Sequence, residues 1–181
     1  SDKDELKRLL DDHERTSTRA RESLEKLSRE HRKTSREVEE RLKRLVDAIR
    51  DTARRVDSRR REVEETLKEI EKRLRELKRE LEELDKEFED SVRKLKRELE
   101  RLNEEVRKRV EDLKRRMAEG TDEEVVRRIL RELRELNERA KEMLERILRK
   151  LEELNREYKK KVREILERIK ELLRDLRRKA N

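Results

Sequence analysis

"EHRKTSREVEERLKRLVD", residues 30–47, decides how this chain is read, because it is the middle of three copies. It lies over "DHERTSTRARESLEKLSR" (12–29) and over "AIRDTARRVDSRRREVEE" (48–65), each copy starting where the one before it ends. At about 3.6 residues per turn, this 18-residue repeat closes about five turns, so equivalent residues return to the same angle. A strict seven-residue repeat would impose a left-handed supercoil. This one predicts long, nearly straight helices.

The spacing continues beyond the three copies. Val63, Leu81, Leu99 and Met117 share one column, and Leu74, Val92 and Val110 another. Leu133, Leu151 and Ile169 align in the last third, as do Leu130, Leu148 and Leu166. Each third carries an apolar stripe of roughly 100–140°, wide enough to face two neighbouring helices. The stripe is widest in the last third, which is expected to bury most.

Composition points the same way. Charged residues make up 60% of the 181, apolar residues 29% and aromatics 1%. Low hydrophobicity can mean disorder. Here the charges are of both signs and the Leu, Ile and Val recur regularly, so long helix or coiled coil is the better class. The net charge of +8 is a small difference between 58 basic and 50 acidic residues. Nucleic-acid binding draws on a concentrated basic face. Only Arg59-Arg60-Arg61 and "RRKA" (177–180) stand out, with no stacking aromatics beside them, so no nucleic-acid partner is expected. No run approaches the ~20 apolar residues of a membrane span. No targeting signal opens the chain, and the expectation is a soluble protein in the cytoplasm of an expression host. Ser1 without a leading Met reads as a cloning or cleavage remnant. With no cysteine there is no disulfide framework.

Two breaks interrupt the pattern. "EGTDEEVV" (119–126) is a turn: Gly120 suits the left-handed position after a helix end, and Thr121 or Asp122 can cap the next helix. In "RRVDSRRREV" (54–63), Val56, Asp57 and Ser58 form a candidate hinge, with Ser58 as N-cap. Against a break there, three arginines at a helix N-terminus oppose the macrodipole. A continuous helix over 2–118 would measure about 175 Å.

Polar residues on the buried stripes select the pairing. They are His13, Thr16 and Ser17; His31, Thr34 and Ser35; Asp85; Asn103; Asn137; and Asn155. A fold about Gly120 brings Asn103 to Asn137 and Asp85 to Asn155, because each pair is equidistant from it. A fold about Ser58 brings His13 to Asn103 and His31 to Asp85. One layer then holds His13, Thr16, Ser17, Asn103 and Asn137, and the other His31, Thr34, Ser35, Asp85 and Asn155. A buried polar group left unpaired costs about 1–3 kcal/mol. Layers that satisfy themselves therefore penalise every register that separates their members.

With the Leu/Glu/Lys/Arg alphabet, the regular repeat, the "EGTDEEVV" turn and the paired polar layers, the chain resembles computationally designed helical bundles with buried hydrogen-bond networks. The resemblance covers the whole chain. It implies high stability, self-assembly in many members and no evolved activity. The arginine-rich, glycine-free region at 56–61 departs from a typical designed loop and looks like a hinge.

The expected fold is all-α: one domain over 1–181, a long antiparallel three-helix bundle, up-down-up, with helices at 2–55, 59–118 and 122–179 and a turn at 119–121. The alternative is one helix of about 118 residues with another half as long. Two such chains would exchange halves about Ser58 as a homodimer, or associate as a homotrimer. The expected function is a structural or assembly scaffold. The alternative is a switch that works through His13 and His31 or through the hinge, and a natural coiled-coil spacer ranks below both because glutamine is absent. His31, Asp85 and Asn155 offer too few strong ligands for a typical zinc site. His13 with Ser17, one turn apart, lacks a cleft for nucleophilic catalysis. No enzyme activity, metal, cofactor or small-molecule ligand is expected. Phe88 and Tyr158 are read as core fillers and the charged faces as solvated surface.

Overall fold

The computed structural model describes residues 1–57 and 59–180. They form three helices, α1 (Asp2–Arg55), α2 (Arg61–Ala118) and α3 (Glu123–Ala180). Leu, Glu, Lys and Arg are strong helix formers, and the chain has no proline to interrupt them. Each helix has acids in its first turn and arginines in its last. These charges complement the partial charges of the helix ends. No described helix is long and apolar enough to cross a membrane.

The turn after α2 forms as its sequence dictates. Gly120 adopts φ +70°. The Thr121 amide donates back to the Arg116 carbonyl at 3.0 Å and the Gly120 amide to that of Met117 at 3.4 Å. This is the paired closure of a helix ending on a left-handed residue. Asp122 is the cap: its carboxylate accepts from the Glu124 amide at 3.2 Å, and its carbonyl from the Val125 amide at 3.1 Å. The non-helical stretch therefore extends to Asp122, and α3 begins at Glu123 rather than at 122.

The region at 56–60 corrects the sequence reading in two ways. The continuous helix over 2–118 is not formed, and α2 begins at Arg61 rather than at 59. In a continuous helix the amides of Arg59 and Arg60 would reach back to the carbonyls of Arg55 and Val56. Here the Asp57 carboxylate takes the Arg59 amide at 3.0 Å, and the Asp57 carbonyl takes that of Arg60 at 3.1 Å. Ser58, expected as N-cap and hinge residue, lies outside the described residues. The arginines find use elsewhere: Arg60 Nη1 donates to the Lys179 carbonyl at 3.1 Å. A guanidinium that opposes the N-terminal end of α2 thus supports the C-terminal end of α3. Asp57→Ala is expected to cost about 0.5–1.5 kcal/mol, the usual net worth of a hydrogen bond. It should also raise the fraction of chain in larger species, measured by sedimentation, because it removes what holds the break open.

Contacts divide the chain into two compact units, each built from all three helices: Ser1–Leu27 with Glu89–Glu152, and Ser28–Phe88 with Glu153–Asn181. The first has a core of Leu6, then Leu102, Val106, Val110 and Leu113, then Val126 through Ala140 on α3. In the second, Val38, Leu45 and Ile49 meet Val63, Ile70, Leu77 and Leu84 and a row from Tyr158 to Leu176. As expected from its wider stripe, α3 contributes the most buried apolar side chains and α1 the fewest.

The columns differ in how well they hold. Leu133, Leu151 and Ile169 on α3 are all fully buried. On α2, Val63 and Leu99 are buried but Leu81 and Met117 are only half-buried. Four well-buried residues of α2 in the second unit, Val63, Ile70, Leu77 and Leu84, instead step by seven. Ion pairs join helices within each unit. Glu5 meets Arg134 at 2.9 Å and Asp12 meets Lys141 at 2.8 Å, Arg109 meets Glu132, and Lys161 meets Glu80 at 3.4 Å. These partly exposed pairs fix geometry more than they add stability.

Candidate functional site

The polar residues of α1 sit on its buried face because the spacing places them there. Ser17 and His31 are buried, and His13, Thr16, Thr34 and Ser35 are half-buried. What they meet defines the two layers.

In the first layer His13 Nε2 lies 2.8 Å from Asn103 Oδ1. Ser17 donates to the same oxygen at 3.2 Å. One carbonyl oxygen receiving both groups requires the proton of the neutral imidazole to be on Nε2. The buried Nδ1 is left as a lone pair without a partner. The reverse assignment would bury an unpaired N–H, which is rarer in folded chains than an unpaired acceptor. Asn137, also expected in this layer, is buried, but its amide donates to the Leu9 carbonyl at 3.1 Å rather than to Asn103. A primary amide carries both donors and acceptors, and the α1 backbone supplies an acceptor that sequence cannot show. Thr16 donates to the Asp12 carbonyl at 2.9 Å, within its own helix.

In the second layer His31 Nε2 donates to Asp85 Oδ1 at 2.7 Å. The same carboxylate oxygen receives Ser35 at 3.5 Å. Because a carboxylate only accepts, Ser35 gives its proton to Asp85. Tyr158 then donates to Ser35 Oγ, 3.3 Å away. A relay from Tyr158 through Ser35 to Asp85 results. His31 also stacks on Phe88, with centroids 4.2 Å apart and planes at 12°, and meets the edge of Tyr158 at 5.1 Å. As in the first layer, Nδ1 is buried without a partner. Thr34 and Asn155 are half-buried beside this set and outside its bonds. Asp85, expected to meet Asn155, is engaged by His31 and Ser35 instead. The imidazole N–H and the hydroxyl reach the carboxylate directly.

Phe88 and Tyr158 are therefore more than filler. They are the only Phe and Tyr of the chain, and both contact His31. A signal for this was present. Phe88 follows Asp85 by three positions and Tyr158 follows Asn155 by three, which is one turn along the same face. Their equivalents in the first layer, one repeat away, are Val106 and Ala140.

Burial of Tyr158 raises its phenol above the ordinary 10.0. The Ser35 hydrogen bond pulls it the other way, and the charges of Asp85 and Glu39 push it further up. A raised folded value means that the stabilisation is complete below the unfolded value and is lost as pH rises through the folded one. Since this is the only tyrosine and there is no tryptophan, tyrosinate absorbance reports it alone. The ionisation is expected above 10.0, together with loss of helicity by circular dichroism. Tyr158→Phe should remove that step. Ionisation like that of free tyrosine would contradict the burial argument.

A polar cluster that sequence reasoning missed lies in the second unit. Lys179 Nζ donates to Thr66 Oγ1 at 2.9 Å and to Asp175 Oδ2 at 3.0 Å. The Lys179 hydrogen bond holds the Asp175 carboxyl below its ordinary value. Thr66 is buried and donates to the Glu62 carbonyl within its own helix. Thr52, also missed, is buried and donates to the Ala48 carbonyl at 2.8 Å within its own helix, in the column of Thr16 and Thr34. No repeat partner marks Thr66.

Among the described residues no group of three or more His, Cys, Asp or Glu is placed to hold a metal ion. Comparison with family models, with curated proteins and with solved structures found no match to this chain.

Proposed function

We propose that the chain is a designed scaffold: an up-down-up helical bundle whose register is set by its two polar layers and which carries no reaction of its own. The observation that carries this reading is a coincidence of register. His13 meets Asn103 at 2.8 Å and His31 meets Asp85 at 2.7 Å. The two histidines are one repeat apart on α1, and Asp85 and Asn103 are one repeat apart on α2. Pairing of α1 with α2 about the 58 position accounts for both contacts. Pairing of α2 with α3 about Gly120 accounts for Lys161 with Glu80 and Arg109 with Glu132. Glu5 with Arg134 and Asp12 with Lys141 advance together by seven, as parallel helices require.

The test is the mass in solution. The scaffold folds on itself at 22.5 kDa and keeps that mass on dilution. A doubled mass favours the exchanged homodimer and a tripled mass the homotrimer, and either would overturn the self-contained bundle. Insertion of Gly-Gly at 57–58 should leave a self-contained chain unchanged and convert an exchanged one to monomer.

A second reading, a switch, is favoured by one specific observation: both histidines have a buried Nδ1 without a partner. Protonation there would add a buried N–H with nothing to accept it, at a cost of about 1–3 kcal/mol.

A further inference from the structure

We propose that acid opens the two layers in order, the His13 layer first, so that residues 1–27 and 89–152 respond to acidification while 28–88 and 153–181 hold. The inference rests on the switch reading and deepens it. The two layers are equivalent by the repeat, yet they receive a new positive charge differently.

In the first layer the partner of His13 is the neutral amide of Asn103. Its oxygen accepts the Nε2 proton whether the ring is neutral or charged, so protonation gains little there. The unpartnered Nδ1 must then carry a buried N–H. The neighbouring ions are already engaged. From α1, Asp12 is paired with Lys141 of α3 at 2.8 Å, and Lys141 also reaches Glu138 at 3.8 Å. Glu14 and Arg15, which flank the site on α1, are exposed. From α2, Glu104 and Arg107 are exposed and paired with each other at 2.8 Å. Among the described residues no carboxylate is hydrogen-bonded or ion-paired to His13 to balance an imidazolium.

In the second layer protonation leaves the same orphaned N–H at Nδ1, but the charge is compensated. Asp85 of α2 lies at 2.7 Å. Its carboxylate already accepts the Nε2 proton, so a counter-ion is in contact with the ring. Phe88 presents its face at 4.2 Å, and an aromatic face attracts a cation. From α3 the facing titratable group is the Tyr158 phenol, uncharged in this range. On α1, Glu30, Arg32 and Glu39 are exposed. The His31 layer therefore turns from a hydrogen bond into an ion pair without parting, whereas the His13 layer gains a buried charge with no counter-ion.

Hydrogen exchange read by mass spectrometry on the full chain, from about pH 8 to about pH 5 and corrected for intrinsic exchange, separates the possibilities. Protection in the first unit is expected to fall at least about tenfold while that of the second stays within about twofold. Asn103→Asp gives His13 a counter-ion and should hold the first unit closed to lower pH. Asp85→Asn removes the counter-ion of His31 and should make the second unit follow the first. The two exchanges are independent, so failure of one variant to fold leaves the other decisive. If both units open together, or the second opens first, the order is overturned while the switch stands. If neither opens, the switch reading itself fails and takes the order with it.

Discussion

Phe88→Ala is expected to lower the unfolding free energy by about 3–5 kcal/mol, the range for removing a buried aromatic ring. Phe88 is only 3% exposed and forms one wall of the His31 site at 4.2 Å. The substitution removes the apolar contact and the stack together, and it leaves a space that three packed helices cannot easily collapse to fill. Val106 provides the internal control. It occupies the equivalent place one repeat further on and is also buried, but it has a smaller side chain and no ring stacked on it. Val106→Ala should therefore cost clearly less. Denaturant melts followed by helical circular dichroism measure both. Equal costs would mean that neither the greater size of the ring nor its stack on His31 contributes.

That contrast also shows how far the sequence could be read. The α1–α2 register was legible because histidines are scarce: two of them one repeat apart, opposite Asp85 and Asn103 at the same spacing, leave few consistent pairings. The turn at Gly120 was legible because only glycine tolerates its positive φ cheaply. The break at 56–60 was not decided by sequence, because it depends on a competition at Asp57 between closing a turn and continuing the helix. Composition does not weigh that competition. The Asn103 contact expected of Asn137 and the Asn155 contact expected of Asp85 were misassigned for a related reason, although the pairing of Asp85 with His31 was read correctly. Symmetry brings residues to the same level, but it does not say which donor reaches which acceptor. A backbone carbonyl such as that of Leu9 is invisible in a sequence. The role of Phe88 and Tyr158 could have been inferred from their position one turn from the layer, had the layer been treated as a volume rather than as a list of polar side chains.

Asp85→Leu is expected to cost more than His31→Leu, and the double substitution less than Asp85→Leu alone. His31 is 8% exposed. Without the carboxylate its Nε2–H has no acceptor and no route to water, a penalty of about 1–3 kcal/mol, or more if the layer must open to relieve it. The reverse deletion is milder, because 43% of the Asp85 side chain is already exposed and water can replace the imidazole. With both replaced, two apolar side chains fill the site and the buried imidazole is gone; the half-buried Ser35 hydroxyl loses Asp85 but keeps Tyr158 as a partner, so stability should recover to near that of the parent. If the layer existed for stability, this recovery would make it pointless. Its purpose would instead appear in uniqueness. With His31 and Asp85 both replaced by leucine, a slipped pairing of α1 with α2 no longer buries an unsatisfied imidazole or carboxylate, and the penalty that separates the correct register from its neighbours falls. The double variant should thus be as resistant to denaturant as the parent yet show doubled amide resonances or uneven hydrogen exchange in residues 28–88. A double variant with one sharp set of resonances would mean that apolar packing alone fixes the register, and that the polar layers are there for something other than alignment.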